Sequence, residues 1–230
     1  KPDKEKIQNV ISDLLSNNGF SEIMGLSLTK AEYAEKLESL NTEQQVLMMN
    51  PLSTDLNAMR QTLLFSGLET IVYNQNRKKA DLRLYEFGKT YLGLKNEHGS
   101  KYIETKHLAI FLTGRKEAES WNSKNDAVSY YTLKGVVESV LERLNIKVSG
   151  KEYTGDVFSQ ALIFNWNKKK IAEFGSVSKS ILKLLDIKQE VFYADFNWDI
   201  VVEAITANKA IMYSEVPKFP EVKRDLALLI

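Results

Sequence analysis

Gly88-Lys89-Thr90 is the sharpest chemical signature in the sequence, because Gly-Lys-Thr closes the phosphate-binding loop G-x-x-x-x-G-K-T. That loop needs a glycine at position 83, where Arg83 stands, and a helix downstream whose amides cradle the phosphate. A β-rich run follows instead, so the segment reads as a strand bent at Gly88. The two histidines, His98 and His107, form no H-E-x-x-H pair, and no third metal ligand accompanies them. His98 sits in a polar turn at 96–100, and His107 reads as a surface or strand-end residue. There is no G-x-S-x-G. With no cysteine, disulfides, thiolate catalysis and Cys-ligated metal sites are excluded.

Glu86 is the most informative carboxylate. By strand alternation it shares a face with Leu82 and Leu84, while Arg83, Tyr85 and Phe87 point the other way. A carboxylate on a leucine face must find a partner or be protonated, and a structural ion pair or an exposed strand end is the expectation. Arg77, Lys78 and Lys79, like Lys168, Lys169 and Lys170, read as solvated charge without interleaved aromatics. Trp121, Trp166 and Trp198 read as core or rim.

These residues must be positioned by 230 residues of which 43% are hydrophobic, enough for one large or two small domains. A net charge of +1 gives no bulk attraction to nucleic acid or anionic membrane. No window approaches the roughly 18 uninterrupted apolar residues of a membrane helix, and the composition fits a cytoplasmic protein. Lys1-Pro2-Asp3 has no initiator Met, and Leu226–Ile230 would be a strand without a successor. The expectation is therefore a piece of a longer chain.

Ile7, Val10, Ile11, Leu14 and Leu15 recur at helical spacing before Gly19, predicting a helix over 4–18. An extended segment over 20–28 follows, then a short helix capped by Thr29 and running through Glu38. "QQVLMMNP" reads as a strand stopped by Pro51. A helix over 58–78 carries Met59, Leu63, Leu64, Leu68, Ile71 and Val72, weakened by Ser66-Gly67. Strands follow at 82–92 and 102–113. Ser129 then caps a helix over 130–144 with Leu133, Val136, Val137, Val140, Leu141 and Leu144 on one stripe. "QALIFNWNKKKIAEFGSV" reads as a hairpin turning at 167–169. In "EVFYADFNW", Phe192, Ala194, Phe196 and Trp198 share one parity, predicting one buried face. Short helices over 178–185 and 198–207 flank that strand. The pattern is α+β with a large antiparallel sheet.

"NPLSTDLNAMRQTLLFSGLETIVYNQNRKKADLRLYEFGKTYL" resembles the phenylalanyl-tRNA synthetase β chain. The carriers are Asn50–Ser53, Met59–Leu64, Asn74–Arg77 and Leu84–Gly88, the last with Tyr85 in place of the usual Phe. "YYTLKGVVESVLERLNI" is similar to that family's Leu-Lys-Gly helix, and "KFPEVKRDLALLI" to its Phe-Pro-x-Val-x-Arg-Asp-Leu-Ala strand. The resemblance implies a class II synthetase-like antiparallel sheet flanked by helices. It implies a catalytic-like (pseudo-synthetase) module over 1–216, and a linker with the first strand of a truncated ferredoxin-like, tRNA-contacting domain over 217–230. "TGDVFSQALIFN" and Gly175-Ser176-Val177-Ser178-Lys179 depart from segments where relatives show His-Pro-containing motifs.

Class II activation needs an arginine and a carboxylate at R-x-E spacing on one strand face. Arg83 and Glu86 are three apart and face opposite ways unless a bulge intervenes. No arginine occurs between Arg143 and Arg224 to clamp phosphates, and lysine lacks the planar fork. The resemblance thus implies a noncatalytic assembly module with no catalytic, cofactor-binding or metal residue of its own. It would pack against a catalytic α subunit in a heterotetramer of two α and two β chains. The complete cytoplasmic ligase would use ATP, magnesium, phenylalanine and tRNA. The first helix and the extended segment after it are the expected α contact, with the Ile7–Leu15 stripe and Met48/Met49 as candidate interface. The alternatives are an active class II-like ATP-dependent ligase and an RNA-binding module.

Overall fold

The computed structural model describes residues 3–51, 53–96, 99–117, 120–122, 126–207, 215, 218–219 and 221–226. Helix α1 (Lys4–Asn17) starts where the Asp3 carboxylate accepts from the amides of Glu5 and Lys6, at 3.0 and 3.2 Å. It ends at Gly19, whose φ of +79° is open to glycine at no steric cost. The Phe20 amide then reaches back to the Leu15 carbonyl, closing the last turn. Two short strands follow, β1 (Ser21–Glu22) and β2 (Leu28–Thr29), and later β3 (Ala58–Met59), which pairs with β2.

Three expectations in this region need correction. Thr29 lies in β2 and caps nothing; a short 3-10 turn over Ala31–Glu35 begins at Lys30 without a side-chain cap. Segment 44–51 is not a strand beyond a single bridge between Leu47 and Ala58. Helix α2 spans Leu64–Gln75 only. Its predicted first turn is β3 plus a loop, because backbone pairing of Met59 with Val46 and Arg60 with Ser27 outcompetes helix propensity there.

β4 (Leu82–Asn96) and β5 (Gly99–Thr113) form a long hairpin, longer than the period-2 pattern indicated. Helix α3 (Tyr130–Arg143) opens with a reciprocal capping box between Ser129 and Thr132. β6 (Ser149–Tyr153), β7 (Phe158–Trp166) and β8 (Lys169–Val177) then run antiparallel. Asn167 and Lys168, with φ of +46° and +65°, make the two-residue turn of the β7–β8 hairpin. The chain continues through α4 (Lys179–Leu184), β9 (Val191–Asn197) and α5 (Trp198–Ala207). Of the expected C-terminal strand, only Leu226 falls among the described residues; it is exposed and outside any strand.

The sheet order is β1-β4-β5-β9-β8-β7-β6, antiparallel except for the β1–β4 pair. One face carries Leu108, Ile110, Leu112, Phe174, Phe192 and Phe196 against α1, α3 and α5. The other carries Leu84, Ala109, Phe111, Val191 and Tyr193 against α2 and α4. β9 was expected to bury one face and buries both. Its central position between β5 and β8, with helices on either side, covers the Tyr193 parity as well as the Phe192 parity. The Ile11 and Leu15 side chains of α1 are fully internal, each contributing about 1.5–3 kcal/mol of burial.

Gly67 lets α2 approach the sheet: a Cβ there would sit 2.0 Å from Phe111 Cζ. Gly67→Ala is expected to destabilise the protein by about 1–3 kcal/mol through overpacking. Gly135 of α3 is exposed, and a Cβ added there would meet no atom within 4 Å, so Gly135→Ala should stabilise by about 0.5–1 kcal/mol. Urea unfolding midpoints of the two variants, moving in opposite directions, check both expectations.

Candidate functional site

The face of the sheet under α2 is where charged side chains enter the interior. Glu86 on β4 is 1% exposed and Arg60, just after β3, is 4% exposed. Arg60 Nη1 donates to Glu86 Oε1 at 2.7 Å, and its Nε donates to the Lys89 carbonyl at 3.0 Å. The Gly25 amide also donates to Oε1 (3.2 Å), and Ser66 Oγ to Oε2 (3.3 Å). Gly88 faces the guanidinium: a Cβ there would lie 2.3 Å from Arg60 Nη2. β4 pairs with β5 in unbroken register through Gly88, and this glycine makes room for an arginine rather than a phosphate. Lys89 points outward to Glu104, at 2.6 Å.

Arg83 lies on the opposite parity, as expected, and donates to the carbonyls of Asn18 and Lys116. With Arg115, which is paired to Asp81 at 2.8 Å, it lines a rim groove of about 430 Å³. The two arginines of that groove are therefore engaged by protein acceptors.

A second constellation lies on the same face as Glu86, further across the sheet. His107 was expected at the surface or a strand end. It is in fact within β5, facing Asp195 of β9, with Nδ1 3.0 Å from the carboxylate. Burial opposes charging of this imidazole, but the charge and hydrogen bond of Asp195, aided by Asp199, outweigh it and raise its pKa above the ordinary value. Next to it on β8, Lys170 Nζ contacts Glu173 at 2.8 Å. Burial raises the Glu173 pKa, only partly offset by Lys170. Lys170, against the pull of burial, is raised by Glu173. These groups line a cavity of about 210 Å³ together with Tyr193, Leu37 and Val157.

Lys168–Lys170 is thus more than a solvated turn: Lys169 pairs with Glu203 of α5 at 2.6 Å, and Lys170 turns onto the sheet face. An irregularity in the β7–β8 register, where Phe164 pairs with Ala172 and Asn165 with Lys170, re-aims Lys170. The Arg77 guanidinium lies 3.4 Å from the Tyr73 ring centroid, so this basic run does have an aromatic beside it. Trp198 is buried against Phe87, Trp166 packs at the core edge, and Trp121 is exposed. His98 lies outside the described residues. No group of three His, Asp or Glu side chains suited to a metal ion occurs among the described residues.

Sequence reasoning singled out Glu86 but not its partner Arg60, which is 26 residues away and brought in by β3. Tyr193 and Asp195 were legible in principle: they alternate with the apolar Phe192, Ala194 and Phe196. The Lys170–Glu173 contact depends on the register irregularity and had no sequence signal.

The family model described as "Phenylalanyl tRNA synthetase beta chain CLM domain" matches residues 1–198. Phenylalanine–tRNA ligase beta subunits of Bacteroides thetaiotaomicron and Porphyromonas gingivalis are 45% and 39% identical over 98% of the chain. The chain spans 28% of the length of each. Among solved structures, pyrrolysyl-tRNA synthetase from Desulfitobacterium hafniense aligns with a TM-score of 0.66 at 12% identity, over 88% of this chain and 69% of that one. The likeness is one of fold, and it is the class II synthetase-like sheet with flanking helices.

Replacing Glu86 by Gln, which leaves Arg60 buried without its counter-charge, should cost about 3–5 kcal/mol in chemical unfolding at neutral pH. The His107–Asp195 pair carries a pH signature. A histidine whose folded pKa exceeds its unfolded value of about 6.5 contributes stability that is complete below pH ~6.5 and is lost as pH rises through the folded value. The stability gap between the wild type and His107→Gln should therefore narrow as pH rises above about 6.5, measured by urea unfolding at a series of pH values.

Proposed function

The chain belongs to the phenylalanyl-tRNA synthetase β-chain CLM-domain family, and from that premise we propose that it is a noncatalytic structural module for assembly with a catalytic α subunit. The observation that carries this reading is the Arg60–Glu86 lock. The buried arginine of the sheet face commits Nη1 to a protein carboxylate and Nε to a backbone carbonyl, which disfavours its use as a fork for a triphosphate. Residues 1–216 form the catalytic-like module in this reading, and 217–230 begin the next domain.

The complete ligase, a cytoplasmic heterotetramer of two α and two β chains, would use ATP and magnesium to attach phenylalanine to its tRNA. The α contact is assigned to the segments around the small β2–β3 sheet. Met24 and Met49 are 96% and 94% exposed there, and Leu26, Leu47 and Met48 also face outward. Large apolar side chains so placed favour a partner surface. Ile11 and Leu15 of α1, candidates for that role in sequence, serve the internal core instead.

Co-expression with the α subunit and sizing of the complex tests the reading. Wild type should co-elute with α, and the double change Met24→Asp, Met49→Asp should weaken association at least about tenfold, the equivalent of ~1.4 kcal/mol. Titration of the chain with ATP and magnesium should show no micromolar binding; such binding would favour an ATP-dependent ligase and overturn the proposal.

A further inference from the structure

We propose that the cavity beneath segment 37–40, between His107, Glu173 and Tyr193, is a binding site for a small zwitterion bearing a short apolar tail. Its walls come from β5, β8 and β9 and from the segments around Leu37 and Val157. Its volume is about 210 Å³. It falls below the roughly 300–1,000 Å³ typical of sites for drug-sized ligands, which suits a small ligand.

Two features select the chemistry. The first is an unfilled valence. Tyr193 is 2% exposed, and its hydroxyl has no hydrogen-bond partner. The Thr62 side chain lies near enough to act on the phenol as a hydrogen-bonding neighbour would, lowering its pKa, but the contact does not meet hydrogen-bond geometry. A buried hydroxyl left unpaired is costly, and a ligand that pairs with it recovers that cost. The phenol is held in place by ring contacts with Phe111 and Phe158, at 4.9 and 6.0 Å between centroids.

The second feature is charge arrangement. The wall holds two anions and two cations in adjacent pairs, His107–Asp195 at 3.0 Å and Lys170–Glu173 at 2.8 Å. A simple cation gains from Asp195 and Glu173 and loses to His107 and Lys170, and a simple anion does the reverse. A zwitterion can set its ammonium toward the carboxylates and its carboxylate toward the lysine and the phenol, gaining from both. Leu37, Leu40, Val157 and Phe158 supply the apolar lining for its tail. This site uses none of the Arg60–Glu86 lock or the β2–β3 surface, so its failure leaves the assembly reading standing.

Three probes of one shape separate the possibilities: L-leucine, 4-methylpentanoate, which lacks the amine, and 3-methylbutylamine, which lacks the carboxylate. Calorimetric titration of the full chain should show saturable binding of L-leucine at least about tenfold tighter than either analogue. Tyr193→Phe should weaken it about three- to tenfold, the loss of one hydrogen bond. Lys170→Gln, at a half-exposed side chain that leaves the core intact, should weaken it as well. Three results would each overturn the proposal: no saturation with L-leucine, an analogue binding as tightly, or unchanged affinity in both variants.

Discussion

A sheet covered on both faces has no place for an unanswered charge, and Glu86 is where that constraint binds hardest. It occupies the central stretch of β4, among leucines, with α2 laid across it. The fold answers it with Arg60, delivered by β3, and with donors from Gly25 and Ser66. Those four residues come from four separate segments. The loop before β2, the turn after β3, the start of α2 and the middle of β4 are therefore tied at one point. Gly88 and Gly25 keep the space into which the guanidinium fits.

The same constraint shapes the opposite side of the face. His107, Asp195, Lys170 and Glu173 lie where the covering layer is only loops, and they pair within a partly enclosed cavity rather than in dry core. Against the pull of burial, the carboxylate partners raise the pKa values of His107 and Lys170, whereas at Glu173 burial wins and raises the carboxyl. The two constellations divide the labour of the face. One is saturated and structural, and the other retains the unpartnered Tyr193 hydroxyl.

This division bears on the relation between fold and activity. A synthetase-like sheet, comparable in shape to pyrrolysyl-tRNA synthetase, is compatible with a face whose arginine is engaged internally. Fold alone does not assign chemistry; the disposition of individual donors does.

Local pattern in the sequence determined much of the architecture. Helical stripes ending in Gly19 or starting at Ser129 place α1 and α3 within a residue. Period-2 runs place β4, β5 and the β7–β8 hairpin, because caps, turns and alternation are set by neighbours in the chain. The parity of Glu86 is read the same way. What only the tertiary structure decided is everything that joins distant segments. The start of α2 yielded to strand pairing at 58–59, segment 44–51 formed no strand, and β9 became buried on both sides. Arg60 arrived from 26 residues away, and a register irregularity turned Lys170 inward. Each depends on which segments the sheet brings side by side, a choice settled by the packing of the whole molecule that no local period encodes.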